Sequence, residues 1–567
     1  MTARARTLWA ALTGAVAAGA ALATTELLAL LLAPASSPVL AVGALAIDLA
    51  PPWLKDVMIA LFGVNDKLVL LIIVGLLVAV LAVIAGLLER RRPPWGAVTV
   101  GVVGIVALVA VLTRAEATSL WAAPTAIGFV VGVLVLRLLT ARLRVWEEAA
   151  ATAAAPAAPV RGAAAPATPA SATPVPATPA RGPFAPGVPT AIATAPRRPA
   201  RSDPAARTPA DLGRRGFLGM LTATAAGAVV VGLGSRAIAS ATAMAQRARD
   251  AIVLPAAASA AAPLAAGTAL DVPGITPLVT PNADFYRIDT ALQVPSIDAS
   301  QWRLRVTGLV EQEVEIGWDE LAAMPLQESY VTLMCVSNEV GGDLTGNALW
   351  LGHPIRDVLA MARPLPEADM VLSRSQDGWT ASTPLDVLTD PDRDALLAIG
   401  MNGEPLPLEH GFPVRMVVPG LYGFVSATKW VVELQVTRFD ADLAYWSTRG
   451  WSERGPVKTH SRIDVPRAFS SVGQGTVAVA GIAWAQHTGI ERVEVRVDGG
   501  PWARARLADA ISIDTWRQWV YEWDATSGSH LLEVRATDAA GMTQRSTQVP
   551  VAPDGAEGYH GVIVQVA

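Results

Sequence analysis

Cys335 is the single cysteine in a chain of 567 residues, and it stands in V-T-L-M-C-V-S-N-E-V-G-G, from Val331 to Gly342. A lone thiol has two ordinary uses. It is a small buried hydrophobe, or it is a soft thiolate that gives a metal one protein ligand while a cofactor supplies the rest. A structural zinc needs about four side-chain ligands, and a disulfide within the chain needs a second cysteine, so both are excluded. Further on, M-N-G-E-P-L-P-L-E-H-G-F-P-V-R-M-V-V-P-G-L-Y-G (Met401 to Gly423) and then Lys429-Trp430 bring His410, Arg415 and Lys429 close to the turn from Gly423 to Thr428. Positive donors and backbone amides in one short stretch suit a terminal phosphate. An arginine between apolar residues also suits an exposed strand face. The segment T-P-N-A-D-F-Y-R-I-D-T, Thr280 to Thr290, adds a polar loop with two aromatics, and Phe285 and Tyr286 fit a core equally well.

Elements must hold these residues. Tyr330 to Met334 is an apolar β-type run that delivers the thiol to a turn of Ser, Asn and Gly, where backbone can approach a ligand closely. Period-two runs at Trp302 to Val306 and Val314 to Ile316, a short helix after Trp318, a helix opening over Gly352 to Leu359 and a strand at Val371 to Ser375 predict an α+β core. A Trp-rich connector follows Arg438. Then short alternating runs at Thr476 to Trp484, Glu491 to Val497, Trp519 to Trp523, His530 to Thr537 and Gln544 to Val551 predict an all-β immunoglobulin-like sandwich. The turn signals D-G-G-P and D-A-A-G separate them.

The first third reads as membrane. Apolar residues make up 52% of the chain and charged ones 16%, which is greasy for a soluble protein. Leu8 to Leu32, Leu68 to Leu88, Trp95 to Leu112 and Leu120 to Leu139 have spanning or nearly spanning length. Val39 to Leu49 is shorter and reads as interfacial or re-entrant. Arg4, Arg6, Arg90 to Arg92, Arg142 and Arg144 mark the cytoplasmic side, so both ends of the bundle face the cytoplasm. Glu26 is an acid in an apolar span: a functional group, or an anchor at the outer interface. No histidine precedes His353, so a bis-histidine haem in the membrane is not expected. The net charge of −5 speaks against a nucleic-acid partner. Ala, Pro and Thr dominate Ala149 to Ala210, the composition of a disordered cytoplasmic tether. D-L-G-R-R-G-F-L-G-M, Asp211 to Met220, then opens an apolar run. It resembles a twin-arginine export signal, and the same residues also suit a plain fifth transmembrane helix. Either reading places the later residues outside the cytoplasm, and Ala-rich sequence from Ala256 to Ala262 leaves cleavage open.

C-V-S-N-E-V-G-G with N-A-L-W-L-G-H-P, together with the Met401 to Gly423 signature, resembles the sulfite oxidase family of molybdopterin enzymes from about Asp271 to the C-terminus. The resemblance implies a molybdenum–molybdopterin cofactor, Cys335 as metal ligand, and pterin contacts from His410 and Arg415. It implies phosphate-side contacts from Ser426, Thr428 and Lys429, a pterin-contacting loop with Asn282, Phe285 and Tyr286, and, by rough alignment, Ser375 and Asp377. The phosphate-side loop is one residue longer than in sulfite oxidases. Arg287 matches one of the cations that draw an anionic substrate to the metal. Five residues after the cysteine, however, the family's arginine is Val340, preceded by Glu339, and only Tyr559-His560 answers the family's C-terminal Trp-His pair.

These features give an expected layout: a four-span bundle (1–146), a linker (147–210), a signal-like or fifth helix (211–240), an Ala-rich linker (241–270), an α+β molybdopterin domain (271–440), a connector (441–466) and the sandwich (467–567). The expected activity is oxygen-atom transfer at molybdenum on a small molecule that is not sulfite, with a sulfoxide or other neutral or zwitterionic oxide fitting best. The alternatives are a non-catalytic binding module on an anchor, and a true sulfite oxidase. No haem is expected. Electrons pass to or from a separate partner, a quinone, a cytochrome or a membrane protein, and the C-terminal domain makes a homodimer.

Overall fold

The structure, a computed structural model, describes residues 2–32, 36–51, 54, 57–58, 61–62, 66–114, 117–154, 209–238, 241–292 and 294–567. Most of the Ala/Pro-rich linker lies outside the described residues. The chain divides into two compact units, residues 1–22, 78–102 and 129–229 in one and 23–77, 103–128 and 230–567 in the other.

Apolar composition builds the N-terminal third. Four helices are long and apolar enough to cross a membrane: Ala3–Leu32, Asp66–Arg91, Trp95–Leu112 and Ser119–Thr152. The helix Pro38–Leu49 has 12 residues, about 18 Å at 1.5 Å per residue, too short to span. The last span runs on as helix to Ala154, past the expected start of the linker, because its Ala/Glu sequence favours helix. Within the first unit, Trp9, Trp146 and Phe217 pack ring on ring at 5.7–5.9 Å. The helix Pro209–Ile238 thus buries Phe217 while Arg214 and Arg215 stay exposed.

The α+β half contains two sheets. One is ordered β2-β1-β10-β5-β6, from β1 (Arg303–Gly308), β2 (Val314–Gly317), β5 (Met370–Ser375), β6 (Thr380–Pro384) and β10 (Val431–Thr437). The other is β3-β4-β7-β8, with β9 also on β7: β3 (Gln327–Met334), β4 (Thr345–Pro354), β7 (Leu396–Met401), β8 (Glu404–Pro405) and β9 (Arg415–Val417). The helix expected from Gly352 begins instead at Ile355. Gly352 and His353 still pair with Ala398 and Leu397, across a register shift that hides the strand's periodicity. Nor is 241–270 a free linker. Helix Ala241–Asp250 sends Arg249 to the Pro405 and Leu406 carbonyls, and Ala258 donates to the Leu326 carbonyl.

The C-terminal region is a two-sheet sandwich around Val479, Val493, Trp519, Leu532 and Val564. Its sheets run β11-β13-β17-β16 and β12-β19-β18-β14-β15. The first has β11 (His460–Val465), β13 (Gly475–Trp484), β16 (Arg506–Leu507) and β17 (Arg517–Ala525). The second has β12 (Ser471–Val472), β14 (Ile490–Val497), β15 (Ala503–Arg504), β18 (Gly528–Asp538) and β19 (His560–Val566). The sandwich therefore begins inside the stretch expected as connector. Gln544 to Val551 is not a strand: the Gln544 side chain accepts from Ala536 N and Ser461 Oγ, and Pro550 has no donor for a ladder. The strand that completes this sheet is β19, between β12 and β18, which the sequence reading missed.

Candidate functional site

Antiparallel pairing of β3 with β4 ends at Met334 opposite Thr345, and the ten-residue turn between them carries Cys335. The ladder extends one step, Cys335 N donating to the Leu344 carbonyl. Asn338 then closes the turn, its Oδ1 accepting from Leu344 N at 2.7 Å. The thiol is 8% exposed and accepts from Ser337 N at 3.4 Å. Burial pushes its pKa up, and the backbone and side chain of Ser337 oppose this. Such a thiol stays protonated until a metal displaces the proton.

The sandwich clamps the same turn. Trp484 Nε1 donates to Met334 Sδ at 2.9 Å, and Arg462 donates to the Gly342 carbonyl at 2.6 Å. Gly341, at φ +80°, meets the His560 ring so closely that no Cβ would fit. Arg462, paired with Asp464 at 2.7 Å, is a cation at the cysteine turn that the sequence reading missed. It acts 120 residues away in sequence and carries no local motif.

The second half of the site is a nest of cations. The Phe285 ring stacks on Tyr286 at 5.2 Å, meets Trp350 at 5.7 Å and His410 at 5.5 Å. Arg415, on β9, lies over the Trp350 ring at 5.0 Å and donates to the His410 carbonyl at 3.1 Å. Gly411, at φ +113°, allows the approach, since a Cβ there would stand 2.8 Å from Arg415 Cβ. His410 Nε2 faces the Asn282 carbonyl at 3.3 Å, which calls for a proton on that nitrogen. Burial, then Arg415 and Lys429, push His410 down to about 3, so the ring is neutral. Burial lowers Arg415 to about 10 and Lys429 to about 8, and both are charged at neutrality.

One acid serves this nest. Asp289 holds Lys429 at 2.6 Å, Arg287 at 2.9 Å and Lys67 at 2.5 Å. Burial raises its carboxyl, but the three cations outweigh burial and hold it well below the carboxylate range. Asp289 was missed although it lies two residues after Arg287; an acid so near matched cations was the available signal.

Tyr286 joins the two halves: its ring stacks on Phe285, its hydroxyl lies beside Gly423 as the Met334 carbonyl does, and burial pushes that hydroxyl up. Cys335, Tyr286, Phe285, Asn282, His410, Arg415, Lys429 and Arg287 are thus linked in one connected group. Ser426 and Thr428 turn inward: Ser426 Oγ donates to the Leu421 and Tyr422 carbonyls, and Thr428 bonds Ser373 at 2.7 Å. Ser375 is buried, its Oγ without a hydrogen-bond partner among the described residues, as is Asn338 Nδ2. Asp377 caps its own turn toward Trp379 N. A cavity of about 330 Å³ opens beside Phe285, Arg287, Glu409 and His410. A larger cleft of about 600 Å³ near Asp369, Asp386 and Arg454 contains none of the candidate residues. Buried cations, a neutral imidazole and orphaned donors fit a phosphate-bearing, oxygen- and nitrogen-rich group, and the thiol fits its metal.

Comparison with known proteins points the same way. Residues 291–446 match the oxidoreductase molybdopterin binding domain. The chain is 30% identical over 321 residues to human mitochondrial sulfite oxidase, covering 48% of this chain and 58% of that one. It therefore spans a little over half the length of that relative. It is 35% identical over 158 residues to an uncharacterized oxidoreductase of Bacillus subtilis, covering 28% of this chain and 76% of that one. The sulfane dehydrogenase SoxCD of Paracoccus pantotrophus aligns with 24% identity and a TM-score of 0.45, over 51% of this chain and 82% of that one.

Proposed function

Because the chain belongs to the sulfite oxidase family of molybdopterin-dependent oxidoreductases, we propose that it is a membrane-tethered oxidoreductase with Cys335 as the protein ligand to molybdenum. When bound, the cofactor supplies two-electron oxygen-atom transfer between water and a small substrate. The observation that carries the reading is the placement of Tyr286, which stacks on Phe285 at the His410 ring and whose hydroxyl lies beside Gly423, as does the Met334 carbonyl that precedes Cys335. Arg415 and Lys429 hold anionic groups of the cofactor, the Asn282 carbonyl fixes the neutral His410 ring through Nε2, and Nδ1 is left as an acceptor. Trp484, bonded to Met334 Sδ, shields the thiol's side of the turn, and Phe285 and Trp350 shield the nest.

Around the cysteine turn, Glu339 is exposed and Val340 half-buried. An acid at that rim disfavours a dianion such as sulfite, which supports a neutral or zwitterionic oxide as substrate. The two electrons go to or come from a separate carrier: quinone, cytochrome or membrane protein. The chain itself is read as carrying no haem. A homodimer through the sandwich belongs to the same reading.

Two observations support a catalytic half on the extracytoplasmic side. Lys67 and Arg114, at helix ends opposite the arginine clusters, face the catalytic half or its neighbours: Lys67 binds Asp289, and Arg114 shares Asp48 with Tyr445. Arg214-Arg215 then serves as the export signal, and Lys-Lys substitution is expected to block translocation although the charge is unchanged. Elemental analysis of purified protein tests the whole reading. About one molybdenum per chain is expected, and metal-free protein from molybdenum-replete cells would overturn it.

A further inference from the structure

Lys67 stands in the first turn of the membrane-length helix Asp66–Arg91. Its Nζ reaches Asp289 Oδ1 at 2.5 Å and the Ala291 carbonyl at 2.7 Å. The other carboxylate oxygen, Oδ2, takes Lys429 at 2.6 Å and Arg287 at 2.9 Å. The Asp289 side chain is only 5% exposed, so these charges act through low dielectric and little water. The neighbouring helix Pro38–Leu49 comes equally close: a Cβ on Gly43 would lie 2.8 Å from Leu292 Cδ1. Two helices from the membrane-proximal sequence therefore bracket the segment that follows Asn282, Phe285 and Tyr286.

The charge balance gives Lys67 a purpose. A buried carboxylate facing Lys429 and Arg287 alone would spend its whole charge on them and mute both toward an anionic ligand. With Lys67 on Oδ1, three cations face one carboxylate, and this group of four keeps a net positive charge. The bond to the Ala291 carbonyl also fixes the backbone four residues beyond Arg287.

We propose that Lys67 is a positioning residue for the cofactor loop: it holds Asp289 and Ala291 in place and leaves Lys429 and Arg287 free to attract a phosphate-bearing cofactor. The inference rests on the molybdopterin reading above. It means that the catalytic half is completed by the membrane segment.

The test uses full-length protein in detergent and the rate at which bound molybdenum and pterin are lost on dilution. Lys67→Met, with Lys67→Gln as a second neutral variant, is expected to lose them about tenfold faster, one charge-assisted contact's worth. Lys67→Arg should stay within about threefold of wild type, since charge and reach are kept. In an Asp289→Asn background, Lys67→Met should change the rate by less than about twofold, because the two residues act as one unit. Unchanged rates in Lys67→Met and Lys67→Gln, full additivity with Asp289→Asn, or equal loss in Lys67→Arg would each overturn the inference. Wild-type protein without molybdenum would instead overturn the underlying reading, so the two failures are distinguishable.

Discussion

The cysteine turn and the cation nest lie in the same site and are built on opposite principles. Around Cys335 the chain places carbon, sulfur and backbone. No cation is among the groups that shift the thiol's pKa, the one cation at the turn, Arg462, bonding the Gly342 carbonyl, and rigidity comes from strand pairing and from the sandwich pressing Trp484, Arg462 and His560 against the turn. In the nest it places four basic side chains with one acid, and it leaves Arg415 without any carboxylate partner among the described residues. A soft ligand needs exclusion of water and a fixed direction, whereas an anion cradle needs uncompensated charge. A buried cation without a counter-ion costs folding free energy unless a ligand supplies the anion. The nest is thus a place where stability is given up for binding, and the turn is not.

The largest expected effect is at the turn. Cys335→Ser should remove activity by at least about a thousandfold, since the chain has no second thiol, and should change the metal's spectrum. Thermal melting should change little, because Ser keeps the size and the Ser337 contact. Wild-type turnover in this variant would take Cys335 out of the chemistry.

The nest should respond with opposite signs in two measurements. Arg415→Met keeps a long side chain over the Trp350 ring and removes the charge. Cofactor retention should fall about ten- to a hundredfold, the value of one charge-assisted contact. The cofactor-free protein should melt no lower than wild type, since an unpaired buried cation is gone. A fall in both would mean that the bonds of Arg415 to the His410 and Met416 carbonyls matter more to the fold than its charge does to the ligand.

What was legible in the sequence follows the same division. Cys335, His410, Arg415 and Lys429 stand in contiguous motifs, so type and spacing pointed to them. The membrane helices announced themselves by length and apolarity. Illegible were partners set by folding over long distances: Arg462 at the Gly342 carbonyl, His560 against Gly341, and Lys67 on Asp289. Each is one polar residue in unremarkable surroundings, selected by a tertiary contact that no local period encodes. The Gly352 register shift and the false strand at Gln544 to Val551 failed for a related reason: side chains and bulges replaced regular ladders there.

A smaller effect tests the rim of the turn. Glu339 and Val340 stand where positive charge would favour a dianion. Val340→Arg with Glu339→Gln should improve sulfite turnover by about tenfold or more, one charge-assisted contact being worth about 1.5–3 kcal/mol. Efficient sulfite oxidation by the unmodified protein would show that Arg462 and Arg287 already supply the anion site.

The smallest effect concerns pH, and it separates the sandwich side of the turn from the nest. His460 stacks on Trp484 at 5.5 Å, is 2% exposed, and its Nε2 has no hydrogen-bond partner among the described residues. Burial, and then Lys458, push it down to about 4. In the unfolded chain an ordinary histidine takes up a proton near pH 6.5. Between pH 6.5 and about 4 the unfolded state therefore binds a proton that the folded state refuses. Stability from this group is full above pH 6.5 and falls as the pH drops through that window, by up to about 1.4 kcal/mol per pH unit. His410 and His560, lowered to about 3 and about 4, add slopes of the same sign. His460→Phe keeps a flat ring on Trp484 and removes the proton site. The loss in melting temperature between pH 7 and pH 5 should shrink by about 4–8 °C, corresponding to about 2 kcal/mol. If the variant and wild type lose the same amount, the acid sensitivity belongs to His410 and His560, and His460 contributes packing alone.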